Sequence, residues 1–362
     1  MKPAVLDMVV CPLCQSTLRP TPYLQDGTWI EEGILTCENG DQFPIIRGIP
    51  VLIEPNLRLS ILGNEETQFW RRHAAEAGGA SSGSAPAADD SEKRSAAAVW
   101  GYQWQDFHEL WQDTAGVEQF YRWLAPLRPD DLRGKTMLDA GCGTGRHVLY
   151  SSRNAGLVIG VDISLATRVA ARLTRGVTNA HIVQADIYRL PFRTETFDRI
   201  YSIGVIHHLP DPRAAYLNLL RHVKRNATLT VWLYGRENNW LAASFVETIR
   251  AVFTRRMPLS LLKFLSLIPA TILWSVIKFF YGPVNWLAPA GARHFPYNTY
   301  FMLFNRLSFR HQWMNVFDKL NAPIANYYRR DEMEAWLKAS GLSATQLAHT
   351  NDISWSLHGT RS

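Results

Sequence analysis

A doubly wound α/β fold on a mostly parallel sheet is predicted for this 362-residue chain by three observations. The run Met137-Leu-Asp-Ala-Gly-Cys-Gly-Thr-Gly-Arg146 is an apolar strand that ends in an acid and breaks into a loop with glycine at positions 141, 143 and 145. Val158-Ile-Gly-Val-Asp162 is a second apolar strand ending in an acid, about twenty residues further on. From there to residue 234, apolar strands alternate with segments of helical spacing. This arrangement receives a nucleotide-type ligand at the carboxyl edge of a parallel sheet, the second acid gripping ribose hydroxyls.

The glycine spacing narrows the ligand. A dinucleotide loop reads Gly-x-Gly-x-x-Gly and leaves helix N–H groups for a pyrophosphate. Here the loop is Gly-x-Gly-x-Gly with Asp139 in front, and no Lys-Ser/Thr follows as in a P-loop. An acid beside the loop disfavours phosphate and favours a cationic ligand. His181-Ile-Val-Gln-Ala-Asp186 reads as a third strand ending in an acid, followed by Leu190-Pro-Phe192. Phe197-Asp-Arg-Ile-Tyr-Ser-Ile203 reads as a fourth, running into Gly204-Val-Ile-His-His-Leu-Pro-Asp-Pro212. Apolar residues at helical spacing fill 165–176 and 214–224, and Leu229-Thr-Val-Trp-Leu-Tyr234 is the fifth strand.

This series of motifs closely resembles the class I S-adenosylmethionine (SAM)-dependent methyltransferases, whose cofactor carries an ammonium and a sulfonium. The resemblance implies a seven-stranded, mostly parallel sheet with SAM as cofactor. By it, Asp139 and the loop Gly141, Cys142, Gly143, Thr144 and Gly145 hold the methionine end. Asp162 takes the ribose hydroxyls, with Ile163 against the adenine. Asp186 accepts from the adenine amino group while Ile187 offers its backbone N–H, and Ile203 lines the methionyl pocket. Cys142 reads either as a thiol nucleophile or as a small side chain beside the cofactor; no paired base is evident locally. His207 and His208 follow the fourth strand on the methyl side. A hydroxyl acceptor must lose a proton near neutral pH, a task suited to an unperturbed imidazole. The pair therefore supplies candidate bases, His207 preferred; the alternative is that they order the loop.

Ahead of this core, Cys11-Pro-Leu-Cys14 is followed by Gly33-Ile-Leu-Thr-Cys37 and Phe43-Pro-Ile-Ile-Arg-Gly-Ile-Pro-Val-Leu-Ile53. A Cys-x-x-Cys knuckle plus a later cysteine predicts a separate zinc-ribbon-like domain over 1–60, with Cys11, Cys14 and Cys37 as metal ligands. It is similar to the small ribbon that accompanies or activates some RNA, protein and small-molecule methyltransferases. Metal-binding members carry a fourth Cys or His near position 40 or 41, where this chain has Gly40-Asp41. Structural zinc and a metal-free ribbon held by its apolar strands are both open readings. The Ala-, Gly- and Ser-rich stretch 74–98 reads as a flexible linker. A methyltransferase domain then spans 99–362. It begins with Val99-Trp-Gly-Tyr-Gln-Trp-Gln-Asp-Phe107. Many class I methyltransferases fold a similar segment over the cofactor, which makes Trp104 a lid residue; aromatic packing against the first helix is the alternative.

Where the family core passes from the fifth strand to a last helix and hairpin, this chain places a largely helical insert over 236–320. The closing elements reappear as Arg330-Asp-Glu-Met-Glu-Ala-Trp-Leu-Lys-Ala-Ser-Gly341 and the stretches 342–350 and 353–361. The insert holds ten Lys/Arg and three Asp/Glu, a charge of +7 against +6 for the whole chain, so the basicity is local. Its run 264–277 has no formal charge, lies between Lys263 and Lys278 and is interrupted by Pro269. That run is shorter than the ~20 residues of a membrane span. Tryptophans at 240, 274, 286 and 313 add amphipathic anchors. Three readings follow: a helical lid or dimer interface, a cover over a lipophilic or acidic acceptor, or a peripheral membrane contact through 257–282. Arg255-Arg256 and Arg329-Arg330 are pairs rather than tracts, which argues against nucleic acid.

Four cysteines, one of them in the glycine loop, do not make a disulfide scaffold and fit a reducing cytoplasm. Met1-Lys-Pro-Ala-Val-Leu-Asp7 shows no apolar leader. The expected protein is a cytoplasmic SAM-dependent methyltransferase, with membrane association as the variant. Its expected acceptor is small and lipophilic or natural-product-like, with oxygen ahead of nitrogen or carbon. An RNA or protein methyltransferase is one alternative, and a non-catalytic SAM-binding partner protein is another.

Overall fold

The computed structural model describes residues 1, 3–75, 90–110 and 114–362. Four N-terminal strands, β1 (Arg19–Asp26), β2 (Trp29–Thr36), β3 (Gln42–Ile46) and β4 (Ile49–Leu52), pair antiparallel in succession. The parallel core follows as β5 (Thr136–Ala140), β6 (Leu157–Asp162), β7 (Ala180–Ala185), β8 (Phe197–Ile203) and β9 (Val223–Tyr234). β10 (Leu342–Thr350) and β11 (Ser354–Arg361) form an antiparallel hairpin, with β11 antiparallel to β9. β5 to β7 are buried at nearly every position, as strands covered on both faces must be. Gly341, in the left-handed region at φ 69°, ends the helix Arg330–Ser340 and turns the chain into β10.

The sheet order is β1-β2-β3-β4-β7-β6-β5-β8-β9-β11-β10. Its last seven strands are the expected α/β core, but the sheet does not stop there. β4 adds parallel to β7, with Val51 opposite Gln184 and Leu52 opposite Ala185, so the sheet runs to eleven strands. The ribbon region also shares the core, since Val9, Leu35 and Phe43 belong to one buried cluster with Ala185, Phe192 and Phe197. Of the expected linker, 76–89 lies outside the described residues, and from Ser91 the chain is already helical, in Ser91–Asp106.

β5 sits between β6 and β8, so the connections after β5 and β8 leave the sheet in opposite directions and open a crevice at the strands' carboxyl ends. The insert closes over it with helices Asn298–Asn305 and Phe309–Asn321, which a longer helical stretch, Leu259–Leu287, backs from outside. Leu262, Ile277, Phe304 and Phe317 form its own core together with Phe107. Polar ties bind it to the Ser91–Asp106 helix: Gln103 donates to Asp318 at 2.8 Å and accepts from Asn321 at 2.8 Å. Lys263 pairs with Asp106, and Arg310 with Glu109.

Candidate active site

The glycine loop is held by backbone bonds. The N–H groups of Gly141 and Cys142 both donate to the Val161 carbonyl, at 2.7 and 2.9 Å, and Gly145 N–H donates to Cys142 O at 2.8 Å. Gly141 has φ +88°, and a Cβ there would stand 2.3 Å from the Val205 side chain. No other residue fits that turn. At Gly143 a Cβ would stand 3.3 Å from the Trp104 indole nitrogen, so the loop backbone lies directly under that ring.

Around this loop a cavity of about 210 Å³ is lined by most of the expected cofactor residues: Trp104, Gly141, Cys142, Gly143, Thr144, Asp162, Ile163, Asp186, Ile187 and Ile203. Asp139 and Gly145 stand behind this wall rather than in it. Asp139 is 1% exposed, and neither carboxylate oxygen has a hydrogen-bond partner among the described residues. Burial raises its pKa well above the usual range, against the pull of Arg146. A buried, unpartnered carboxyl beneath the loop is chemistry that a cationic ligand would complete. Asp162 accepts from Gly143 N–H at 2.9 Å and from the Ser164 N–H and hydroxyl at 2.8 and 2.7 Å. A carboxylate has about four acceptor sites, so one remains for a ligand hydroxyl. Cys142 is buried, and burial together with the Asp162 and Asp139 charges pushes its thiol well up. A thiol held neutral in this way is a poor nucleophile, which favours the reading as a small side chain beside the loop.

Asp186 is engaged on both oxygens. One accepts from Tyr188 N–H at 2.9 Å, and the other is held by Lys93 at 2.8 Å. Lys93, Ala96, Trp100 and Trp104 all line the cavity from the Ser91–Asp106 helix. Their spacing of three, four and four is one helical face, a signal legible in the sequence but hidden by reading 74–98 as linker.

Opposite the loop, the wall comes from β9, the stretch after β8 and the insert: Trp232, Tyr234, His208, Tyr300, Asp318 and Lys319. The two candidate histidines part company here. His208 lines the cavity, while His207 is 0% exposed, has no hydrogen-bond partner on either ring nitrogen among the described residues, and lies 3.8 Å, centre to centre, from the Tyr234 ring. Of the two, it is His208 that borders the cavity. His208 Nδ1 lies 2.6 Å from the Ile324 carbonyl, which requires Nδ1 to carry the proton and leaves Nε2 as the acceptor. Burial pushes the His208 pKa down to about 4, so the ring is neutral at physiological pH rather than poised near its ordinary value.

Sequence reasoning missed Lys319 and Asp318 altogether. Lys319 Nζ stands 3.3 Å above the centre of the Tyr234 ring, and burial pushes its pKa down to about 8 against the pull of Asp318. The Tyr234 hydroxyl donates to Asp318 at 3.3 Å. Tyr327 stacks on Tyr234, and Tyr328 N–H donates to the Tyr234 carbonyl at 3.0 Å, so both back this wall.

In the ribbon, the Sγ atoms of Cys11, Cys14 and Cys37 and a carboxylate oxygen of Asp41 all lie within 4.8 Å of one another. Asp41 thus takes the place where a fourth Cys or His was looked for. Three cysteines and one carboxylate from two turns are a group that could hold a metal ion, although structural zinc more commonly takes four Cys or His ligands.

Residues 138–231 match the methyltransferase domain family. The chain is 32% identical over 119 residues to a ubiquinone biosynthesis O-methyltransferase of Neisseria meningitidis serogroup C, covering 29% of this chain and 49% of that one. It is 30% identical over 118 residues to a demethylmenaquinone methyltransferase of Corynebacterium kroppenstedtii, covering 33% and 50%. To a tRNA U34 carboxymethyltransferase of Cronobacter sakazakii it is 33% identical over 142 residues, covering 35% and 43%. The chain thus spans about half the length, or somewhat less, of the curated relatives it matches.

Proposed function

We propose that this protein is a SAM-dependent methyltransferase that methylates a small lipophilic acceptor, with oxygen as the favoured reacting atom. The observation that carries it is one cavity with two unlike walls. One wall is the glycine loop with the acids of β6 and β7. The other is aromatic and aliphatic, with His208, Asp318 and Lys319 placed in it. Such a lining suits a flat apolar molecule carrying one ionisable group. One of the relatives above is named for ubiquinone biosynthesis and another for demethylmenaquinone, which supports that acceptor class. The relative named for tRNA supports the RNA alternative.

In this reading Asp139 and the 141–145 loop hold the methionine end of SAM. Asp162 takes the ribose, Ile163, Asp186 and Ile187 the adenine, Ile203 lines the methionyl pocket, and Trp104 covers the loop. When bound, SAM supplies a methyl group on a sulfonium, open to in-line attack. The protein's own residues do the rest. The aromatic wall orients the acceptor and excludes water. Lys319, charged below about pH 8, lowers the pKa of an acceptor hydroxyl set beside it. His208 Nε2 receives the proton. The Ser91–Asp106 helix and the insert, joined through Gln103 and Asp318, act as a single cover. Structural zinc in the Cys11, Cys14, Cys37 and Asp41 set would fasten the ribbon's turns.

The test is transfer of labelled methyl from SAM into an extract of the native host, separated into lipid-soluble molecules, water-soluble molecules, RNA and protein. Label in the lipid-soluble fraction is the expected result. Label in RNA or protein would replace the acceptor class, and SAM binding without transfer to any fraction would make the chain a cofactor-binding partner protein.

A further inference from the structure

The helical stretch Leu259–Leu287, 29 residues long, is apolar on two sides. Leu262, Ser266, Ala270 and Ile277 point inward, each no more than 2% exposed, against the rest of the insert. Phe264, Ile268, Ile272, Phe279 and Trp286 point outward, and they are 67%, 63%, 60%, 74% and 81% exposed. At 3.6 residues per turn these five fall on one narrow arc of the helix. Phe245 and Phe253, just upstream, are 59% and 67% exposed. Large apolar side chains gathered this exposed along one helix face mark an interaction site.

The charges around this surface say what covers it. Residues 248–317 contain no Asp or Glu and eight Lys/Arg. Four of the eight are spent inside the protein: Arg250 on Glu247, Lys263 on Asp106, Arg310 on Glu109 and Lys278 on the Asn305 carbonyl. The other four, Arg255, Arg256, Arg293 and Arg306, are exposed and have no acidic partner among the described residues. Arg255 and Arg256 precede the apolar helical stretch, and Arg293 follows it. A second copy of this chain would bring cation against cation, whereas an anionic bilayer supplies both the apolar interior and the opposite charge. Trp240 and Trp286, 61% and 81% exposed, are the residue type that settles at the headgroup boundary. The stretch has the length and composition to cross a membrane, but its inner face is committed to Leu307, Phe317 and their neighbours. It therefore lies on the bilayer rather than through it.

We propose that the outward face of the insert docks peripherally on an anionic lipid bilayer, with Leu259–Leu287 lying in the interfacial plane. The same insert supplies Leu303, Phe304 and Met314 to the cavity wall, so docking sets that wall one layer of helices from the lipid. The proposal stands on the surface alone and does not depend on methyl transfer.

The experiment is flotation of the full chain with phosphatidylcholine vesicles, with and without phosphatidylglycerol, at low and high salt. The expected result is co-flotation with the anionic vesicles at low salt and release as salt rises. The variant F264S/F279S/W286S, with unchanged circular dichroism, is expected to bind at least ~10-fold more weakly. R255E/R256E is expected to lose about tenfold or more. Protein that stays at the bottom of the gradient with anionic vesicles overturns the proposal, as does binding that the triple variant leaves intact. A dimer in sedimentation that the triple variant dissolves, without lipid binding, assigns the face to a second copy. Resistance to alkaline extraction from the vesicles assigns a spanning helix instead.

Discussion

The two walls of the cavity are built differently. The glycine-loop wall is local: its acids Asp162 and Asp186 stand at the carboxyl ends of β6 and β7, and Asp139, behind it, stands at that of β5. The facing wall is assembled from afar, with His208 after β8, Tyr234 ending β9, and Asp318 and Lys319 near the end of the insert. A wall written at strand ends is fixed by topology, because a parallel sheet places its carboxyl ends together. A wall drawn from distant helices exists only once the insert has packed. On the proposed reading, the difference makes cofactor and acceptor functions separable by mutation.

Asp162→Ala breaks the first wall and carries the largest expected effect. It removes the acceptor of the Gly143 N–H as well as the proposed ribose contact. The loss is about 2–3 kcal/mol, or roughly 30–150-fold in Kd for SAM by calorimetry. Circular dichroism should be unchanged. A Kd within twofold of the parent would remove Asp162 from the cofactor site.

Lys319→Met tests the second wall without touching the first. The rate is expected to fall roughly 10–100-fold while the SAM Kd holds. The pH profile is the sharper readout. Lys319 is protonated below about 8 and neutral above, so the parent rate should decline as pH rises through that value. The variant should lack that decline. A basic limb that persists in the variant belongs to another group.

The two histidines sharpen the comparison within one turn of chain. His208→Ala should slow transfer about tenfold or more, with little change in cofactor affinity. His207→Ala should leave the rate within about threefold but cost about 1–3 kcal/mol of stability in chemical denaturation, since a packed ring is lost from a site with no exposure. The reverse pattern would return the base to His207.

These contrasts also explain what was legible beforehand. The order of the core strands, the glycine loop and the acids followed from period and spacing, because each is a local consequence of a strand meeting a turn. The ribbon's merger with the sheet was not legible. Ile49–Leu52 reads the same whether its edge is free or paired to β7, since both states ask for a short apolar strand. Asp318-Lys319 was invisible for another reason. On the sequence it is a charge pair near a helix end, and only packing turns it toward Tyr234. The choice between His207 and His208 depended on which ring faced the cavity, which adjacent positions in one sequence do not reveal.

Lys93→Met carries the smallest expected effect and bears on where the two walls meet. Lys93 reaches from the covering helix to Asp186 at 2.8 Å, on the oxygen that the adenine amino group would need. The pair is partly exposed, with Lys93 at 25% and Asp186 at 9%, so its strength falls in the range of accessible ion pairs, about 0.2–1 kcal/mol. If the lysine competes with the cofactor, removing it frees the carboxylate and tightens SAM binding by roughly 2–5-fold at low salt. The gain should shrink as salt screens the parent's ion pair, because the competitor is already weakened there. Calorimetry at two ionic strengths measures both quantities. Weaker binding in the variant would mean instead that the cover holds the adenine end through Lys93, and that Asp186 serves the lid rather than the ligand.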